Sequence, residues 1–283
     1  MNTEAAAPPL QEVSGPSALG GGPRRFFDLL WLTAVTEFKR VYFGTVLGYL
    51  WSLMRPLMLF GVLLFVFTKV FRIGSELVDH YPVFLLLGIV LFTFFQETTT
   101  NAVGSVLSQE GVVRKTQFPR LVIPLATVLT GAFNLGLNLI VVFAFIFAFG
   151  IDPTWTWLLF PFAVAVLAIF TAAISMALSV LFVRFRDVAI IWVVVGQVLF
   201  YATPILYPVN FEADYEHLLM INPLAVIFEQ IRIWILAEPN APSITEAAGG
   251  VLGLLPAAAI FIAVCAFGIW IFNREAPRIA EDL

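Results

Sequence analysis

Two charges sit where an apolar chain should not keep them. Arg55 lies about ten residues, or ~15 Å at 1.5 Å per residue, into the apolar run 46–70. Glu97 comes near the end of the run 82–104 and is followed by Thr98, Thr99, Thr100 and Asn101. A charge in hydrocarbon costs ~2.5–3.5 kcal/mol on insertion scales, so each must pair, snorkel or face a polar cavity. Two readings of Arg55 stand at this point. Its guanidinium faces a pathway for an anionic substrate, with Glu97 as partner, or it snorkels to nearby head groups.

Tyr49, Trp51, Phe200, Tyr201 and Tyr207 could stack on sugar rings in a channel. Trp and Tyr also gather at membrane interfaces simply because they are amphipathic. A third cluster is RKTQFPRLVIP (114–124), which packs Arg114, Lys115, Arg120 and two prolines between apolar stretches. It is a loop that sets membrane orientation, a surface against which something docks, or both. Catalytic chemistry is not indicated. The chain has no GxxxxGK[ST] phosphate loop, no HExxH and no GxSxG elbow; His80 and His217 lie apart in loops. Cys265 is the single cysteine, in an apolar run, which excludes a disulfide framework or a cysteine metal site. The acids of FEADYE (211–216) are the nearest approach to a hydrolase or glycosyltransferase pair and read better as a solvated loop. No catalytic residue, metal site or bound cofactor is expected.

These residues must be positioned by membrane helices. Of 283 residues, 60% are hydrophobic and only 12% charged, with a mean hydropathy of +0.96; in soluble chains roughly a quarter are charged. Six runs reach the ~20 residues a spanning helix needs: about 46–70, 82–104, 121–149, 157–183, 188–207 and 251–272. If residues 1–23, rich in Ala, Pro, Gly and Ser, form a disordered cytosolic tail, the inner segments hold eleven of the 15 Lys and Arg. Those are Arg24, Arg25, Lys39, Arg40, Arg114, Lys115, Arg120, Arg184, Arg186, Arg274 and Arg278. That asymmetry predicts both termini in the cytosol.

Two further segments do not span. In 26–42, Phe27, Leu30, Ala34, Phe38 and Val41 share a face, with Asp28, Thr36, Lys39 and Arg40 towards the other side. This is the pattern of an amphipathic helix along the inner interface. Within the outer connection 208–250, the apolar stretch 222–236 is too short to cross and reads as re-entrant or interfacial. The predicted fold is an all-α membrane protein over 24–283: six transmembrane helices, an N-terminal interfacial helix, and re-entrant extracellular helices between spans five and six.

Several stretches together resemble the membrane subunit of type-2 ATP-binding-cassette exporters for polysaccharides. They are FKRVYFGTVLGYLWSLMRPL (38–57), YPVFLLLGIVLFTFF (81–95), VVRKTQFPRLVIPLATVL (112–129), RFRDV (184–188), YATPILYP (201–208) and INPLAVIFEQIR (221–232). The resemblance implies a homodimer in the cytoplasmic membrane, docked on two copies of a separate ATPase subunit that binds ATP and Mg. It implies an undecaprenyl- or polyprenyl-pyrophosphate-linked glycan as substrate, as in O-antigen, teichoic acid or galactan export, and no nucleic acid. Carried onto this chain, 26–42 matches a gate helix, with Arg25, Lys39, Arg40, Tyr42 and Arg55 at the substrate gate. Segment 105–120 matches a coupling helix, with Gln109, Glu110, Arg114, Lys115, Phe118 and Arg120 facing the ATPase. Tyr49, Trp51, Phe200, Tyr201 and Tyr207 would line the channel between first and fifth spans. Arg55 departs from the family, where an uncharged residue is more usual, and Glu97 has no counterpart to carry over. Rival readings are an exporter of drugs or small lipids and an ion-coupled secondary transporter; the latter would need more midplane charges and internal repeats than are evident here.

Overall fold

The structure, a computed structural model, describes residues 22–42, 48, 50–72, 78–111, 118–209, 216–237 and 242–276. Among them there is no strand. The helices are α1 (Pro23–Tyr42), α2 (Leu50–Phe65, continued by a π-helical turn, Val66–Val70), α3 (Tyr81–Val103), α4 (Ser105–Ser108), α5 (Val122–Ala148), α6 (Phe160–Arg184), α7 (Val188–Ala202), α8 (Glu216–Leu219), α9 (Pro223–Leu236), α10 (Ile244–Ala247) and α11 (Leu255–Glu275). Short 3-10 turns, Trp155–Leu159 and Val251–Leu254, lead into α6 and α11. Pro82, Pro161, Pro223 and Pro256 all fall in first turns, where the missing N–H costs nothing.

Among the described residues, five helices are long and apolar enough to cross a membrane: Leu50–Val70, Tyr81–Val103, Val122–Ala148, Trp155–Arg184 and Val251–Glu275. The expected fifth run, 188–207, is helical only over the 15 residues of α7, or ~22 Å, which is short of a full crossing. Pro204 explains the early stop. It disfavours helix at the residue before it, and Thr203 is extended, with φ −100 and ψ 135.

Helix α3 is the axis of the bundle. It is buried on nearly every side and packs against α2, α5, α6, α7 and α9. The first three turns of this helix are buried all round and need no polar face, which is why the run from 82 is apolar until Thr93. Helices α6 and α11 pack closely because Gly268 leaves room for the Ala173 carbonyl. The buried hydroxyls of Thr171 and Ser179 donate to carbonyls of their own helix, Leu167 at 2.8 Å and Met176 at 2.9 Å.

Interfacial candidate α1 lies against α5. Phe26 and Ala34 are buried, Trp31 and Phe38 meet the edge of Phe133, and Thr130 Oγ1 donates to the Ala34 carbonyl at 3.2 Å. Phe26 and Ala34 are buried and Leu30 and Phe38 half-buried, so the row read from the sequence is covered as far as Phe38, except that Phe26 takes the place of exposed Phe27. Phe27, Trp31 and Leu32 stay exposed, so α1 has a second, outward apolar face.

At the other end of α3, α9 is tucked against α3, α6 and α11. Its 14 residues are nearly all shielded, including the charges Glu229 and Arg232. Asn222 caps it, accepting from Leu224 N at 3.0 Å while its amide donates to Thr203 Oγ1 at 2.9 Å. Ala237, in the left-handed region at φ 47, ends it.

Candidate functional site

A groove of about 1080 Å³ runs between α2, α3 and α7. Three contacts hold its walls: Trp192 Nε1 donates to Thr99 Oγ1 at 3.0 Å, Phe200 meets the edge of Phe92 at 5.3 Å, and Gly196 lets the Gln96 amide lie against α7. Any Cβ at position 196 would overlap that amide. Arg55 and Glu97 face each other here, Arg55 Nη1 donating to Glu97 Oε1 at 2.8 Å. Arg55 is largely open, at 76% side-chain exposure against 36% for Glu97. Thus the intramembrane charges are paired, and the pair lines the groove.

Of the aromatic candidates, Trp51, Phe200 and Tyr201 line the same groove. Trp51 and Tyr201 are exposed, while Phe200 is half-buried in packing against Phe92. Tyr207 is not among the lining residues; its hydroxyl donates to the Tyr201 carbonyl at 2.9 Å. Thr100, noted beside Glu97, also lines it, as do Gln96 and Gln197, which escaped the sequence reading although they stand out as polar residues inside apolar runs.

Behind the groove, under α1, lies a smaller cavity of about 420 Å³. It shares Pro56, Thr93, Glu97 and Asn101 with the groove, so the two spaces adjoin at the Arg55–Glu97 pair. Glu37 and Arg40 of α1 line it, with Thr127, Thr130, Asn134 and Asn138 of α5. Glu37 accepts a hydrogen bond from Gln109 Nε2, which links α1 to the segment after α4. Burial pushes the Glu37 carboxyl above the usual carboxylate range, partly offset by the Gln109 hydrogen bond and by Arg40.

The remaining candidates scatter. Arg25 and Lys39 are exposed on α1. Phe118 is half-buried beside an apolar cluster of Val106, Ile123, Ala173, Met176, Val180 and Phe272. Arg120 donates to the Ala276 carbonyl at the end of α11, so its charge also serves an internal contact. Glu110 is half-buried. Tyr49, Arg114 and Lys115 lie outside the described residues, as does the side chain of Tyr42. Among the described residues no cluster of His, Cys, Asp and Glu could hold a metal ion.

Fold and site define a polytopic helical membrane protein with a largely apolar groove that carries a charged pair. The sequence profile of the ABC-2 type transporter family matches residues 28–236, and the chain belongs to that family. Two proteins of Klebsiella pneumoniae, each named O-antigen export system permease protein RfbA, are 30% identical to it. Each alignment covers 91% of this chain and 95% of the relative. A Myxococcus xanthus protein of the same name is 30% identical over 87% of this chain and 92% of its own length.

Proposed function

We propose that this chain is the permease subunit of an exporter that carries a lipid-linked, O-antigen-like polysaccharide across the cytoplasmic membrane, driven by ATP hydrolysis on a separate subunit. The observation that carries the reading is the groove, where the rings of Trp51 and Tyr201 stand beside the Arg55–Glu97 pair in an otherwise apolar bundle. Aromatic faces suit sugar rings, and a paired arginine is poised for an anionic linkage. The names of the similar proteins support the substrate class.

Two copies would form the working unit. In a lone chain the groove would turn Arg55, Glu97 and Gln197 towards lipid, a costly exposure. Exposed apolar side chains flank it, Met58, Leu59 and Val62 on α2 and Ile191, Val194 and Val198 on α7. A second copy packed there would close the grooves into one conduit. The eleven cations support both termini in the cytosol and six crossings, with α7 as the fifth, completed by the turn Thr203–Pro208. Helix α9 would then enter from the outer face as a re-entrant element. The ATPase, with its ATP and Mg, would dock on 105–120. The Glu37–Gln109 contact would pass its movement to α1.

The test is co-purification with a co-expressed cytosolic ATPase, then ATP hydrolysis in proteoliposomes with and without polyprenyl-pyrophosphate glycan. Export predicts complex formation and glycan-stimulated hydrolysis, both lost in Arg114→Glu/Lys115→Glu. A complex stimulated by hydrophobic drugs and not by the glycan would overturn the substrate class. Wild-type coupling in the double variant would return 114–124 to a topology signal alone.

A further inference from the structure

The cavity under α1 is lined by two polar stripes that face each other. On α3, Thr93, Glu97 and Asn101 recur every fourth residue; on α5, Thr127, Thr130, Asn134 and Asn138 follow at spacings of three or four. Such spacing lines one face of a helix, and polar faces inside apolar helices turn to cavities or partners. These side chains do little to hold α3 to α5. Asn138 Nδ2 donates to the Asn134 carbonyl at 2.9 Å, on its own helix, and Thr127 does the same to Ile123 at 3.3 Å. The Asn134 side-chain oxygen is buried with no hydrogen-bond partner. A buried amide oxygen without a donor is held at a cost unless something else supplies the donor.

The chemistry of the wall narrows the guest. Glu37 and Glu97 stand against Arg40, with Arg55 already on Glu97, so the wall favours neither a free anion nor a bare cation. Carboxamides and hydroxyls offer donors and acceptors together, which suits vicinal hydroxyls. The volume, about 420 Å³, is at the low end of small-molecule sites, which run ~300–1,000 Å³, and fits one ring better than a chain. Arg40 and Asn101, which line the cavity, are exposed, and α1 carries exposed apolar Phe27, Trp31 and Leu32 further towards its N-terminus, so a guest could keep a hydrocarbon tail in lipid.

We propose that this cavity binds a single sugar ring carried on a membrane lipid, as a site separate from the α2–α3–α7 groove. It rests on the export reading for the identity of the lipid, and deepens it. The lipid-proximal sugar is held under α1 while the Arg55–Glu97 pair closes the way into the groove.

The test uses the full chain in phosphatidylcholine nanodiscs, purified without glycoside detergents. The probe is octyl glucoside bearing a photoreactive diazirine on the sugar. Labelling is expected on α5 within 127–138, to be displaced by octyl glucoside and not by 1-octylglycerol at the same concentration. Asn134→Leu should lower α5 labelling about tenfold and the isosteric Thr130→Val about threefold. The second variant serves if the first does not fold. Labelling confined to α2 or α7, equal displacement by octylglycerol, or unchanged labelling in both variants overturns the assignment. Unlabelled α5 in a chain that still shows glycan-stimulated hydrolysis removes this site alone. Labelled α5 in a chain that recruits no ATPase would remove the export reading and leave the sugar site.

Discussion

Replacing Arg232 tests how the far end of the bundle is held. Its guanidinium is buried, with 3% side-chain exposure, beside Glu229 at 8%. It donates from Nη1 to the Pro204 carbonyl, and from Nη2 to Ile205 O at 3.2 Å and Phe84 O at 3.4 Å. Its carbon lies 3.5 Å from the centre of the Phe84 ring, and Glu229 Oε2 is 3.5 Å from Nη1. One side chain thus ties α9, the turn after α7 and the first turns of α3. Arg232→Met strands a buried carboxylate and strips three carbonyls, so ~3–5 kcal/mol of stability should be lost, the usual cost of breaking a buried pair from one side. Glu229→Met/Arg232→Met removes both charges, and replacing a whole pair by apolar side chains is often neutral. The double variant should therefore recover the part of the loss due to the stranded carboxylate, the three carbonyls still lacking their donor. Unfolding by SDS in mixed micelles, followed by circular dichroism, measures both. A loss below ~1 kcal/mol in the single variant, or a double variant as unstable as the single, would refute the reasoning.

Gly88 offers a coupled check, because a Cβ there would overlap the Arg232 guanidinium. Gly88→Ala should destabilise the wild type by ~1–3 kcal/mol yet be neutral or stabilising in the Glu229→Met/Arg232→Met background, where alanine's helix propensity is left unopposed. Equal effects in both backgrounds would count against a pinned guanidinium. Glu37 carries a pH dependence. Its carboxyl titrates above the usual range in the folded chain, so protonation favours the folded state, and that stabilisation is lost as pH rises through the folded value. Melting measured across pH 4 to 8 should fall with rising pH near and above the usual glutamate value of ~4.3, and Glu37→Gln should flatten that limb and raise stability at pH 7. A variant that melts lower at pH 7 with the slope intact would reject burial as the cause. In the groove, Trp51→Ala and Tyr201→Ala should each cut glycan-stimulated hydrolysis about tenfold, at ~1 kcal/mol or more per lost stacking surface, with the ATPase complex intact. Unchanged stimulation in both would take sugar stacking out of the groove.

Periodicity in this sequence speaks clearly where one physical demand dominates. Long apolar runs without a proline break favour spans, so Val122–Ala148 and Leu255–Glu275 lie within or close to the runs read from residues alone. Amphipathic spacing foretold α1, although the buried row shifted from Phe27 to Phe26. That shift was out of reach because apolar residues lie on both flanks, and which flank is covered depends on how α1 lies against α5, some hundred positions away. The polar stripes of α3 and α5 were legible in principle, as Thr93–Glu97–Asn101 and Thr127–Thr130–Asn134–Asn138 have helical spacing. They passed unremarked because only a facing stripe on another helix gives either one meaning.

By itself the sequence determined the class, the family and the positions of most membrane helices, because hydrocarbon permits few backbone solutions. It also marked Arg55 and Glu97 as charges out of keeping with lipid, and Trp51 and Tyr201 as rings suited to sugars or to the membrane interface. Tertiary structure alone decided that these four line one groove, and that α7 stops at Ala202. It alone decided that Arg232, by sequence a stray outer charge, supplies donors for the carbonyls of the turn that follows α7. The physical reason is common to all three. Hydropathy is written residue by residue, whereas a buried hydrogen bond needs two partners, and only the fold brings Arg232 to Pro204 and Phe84.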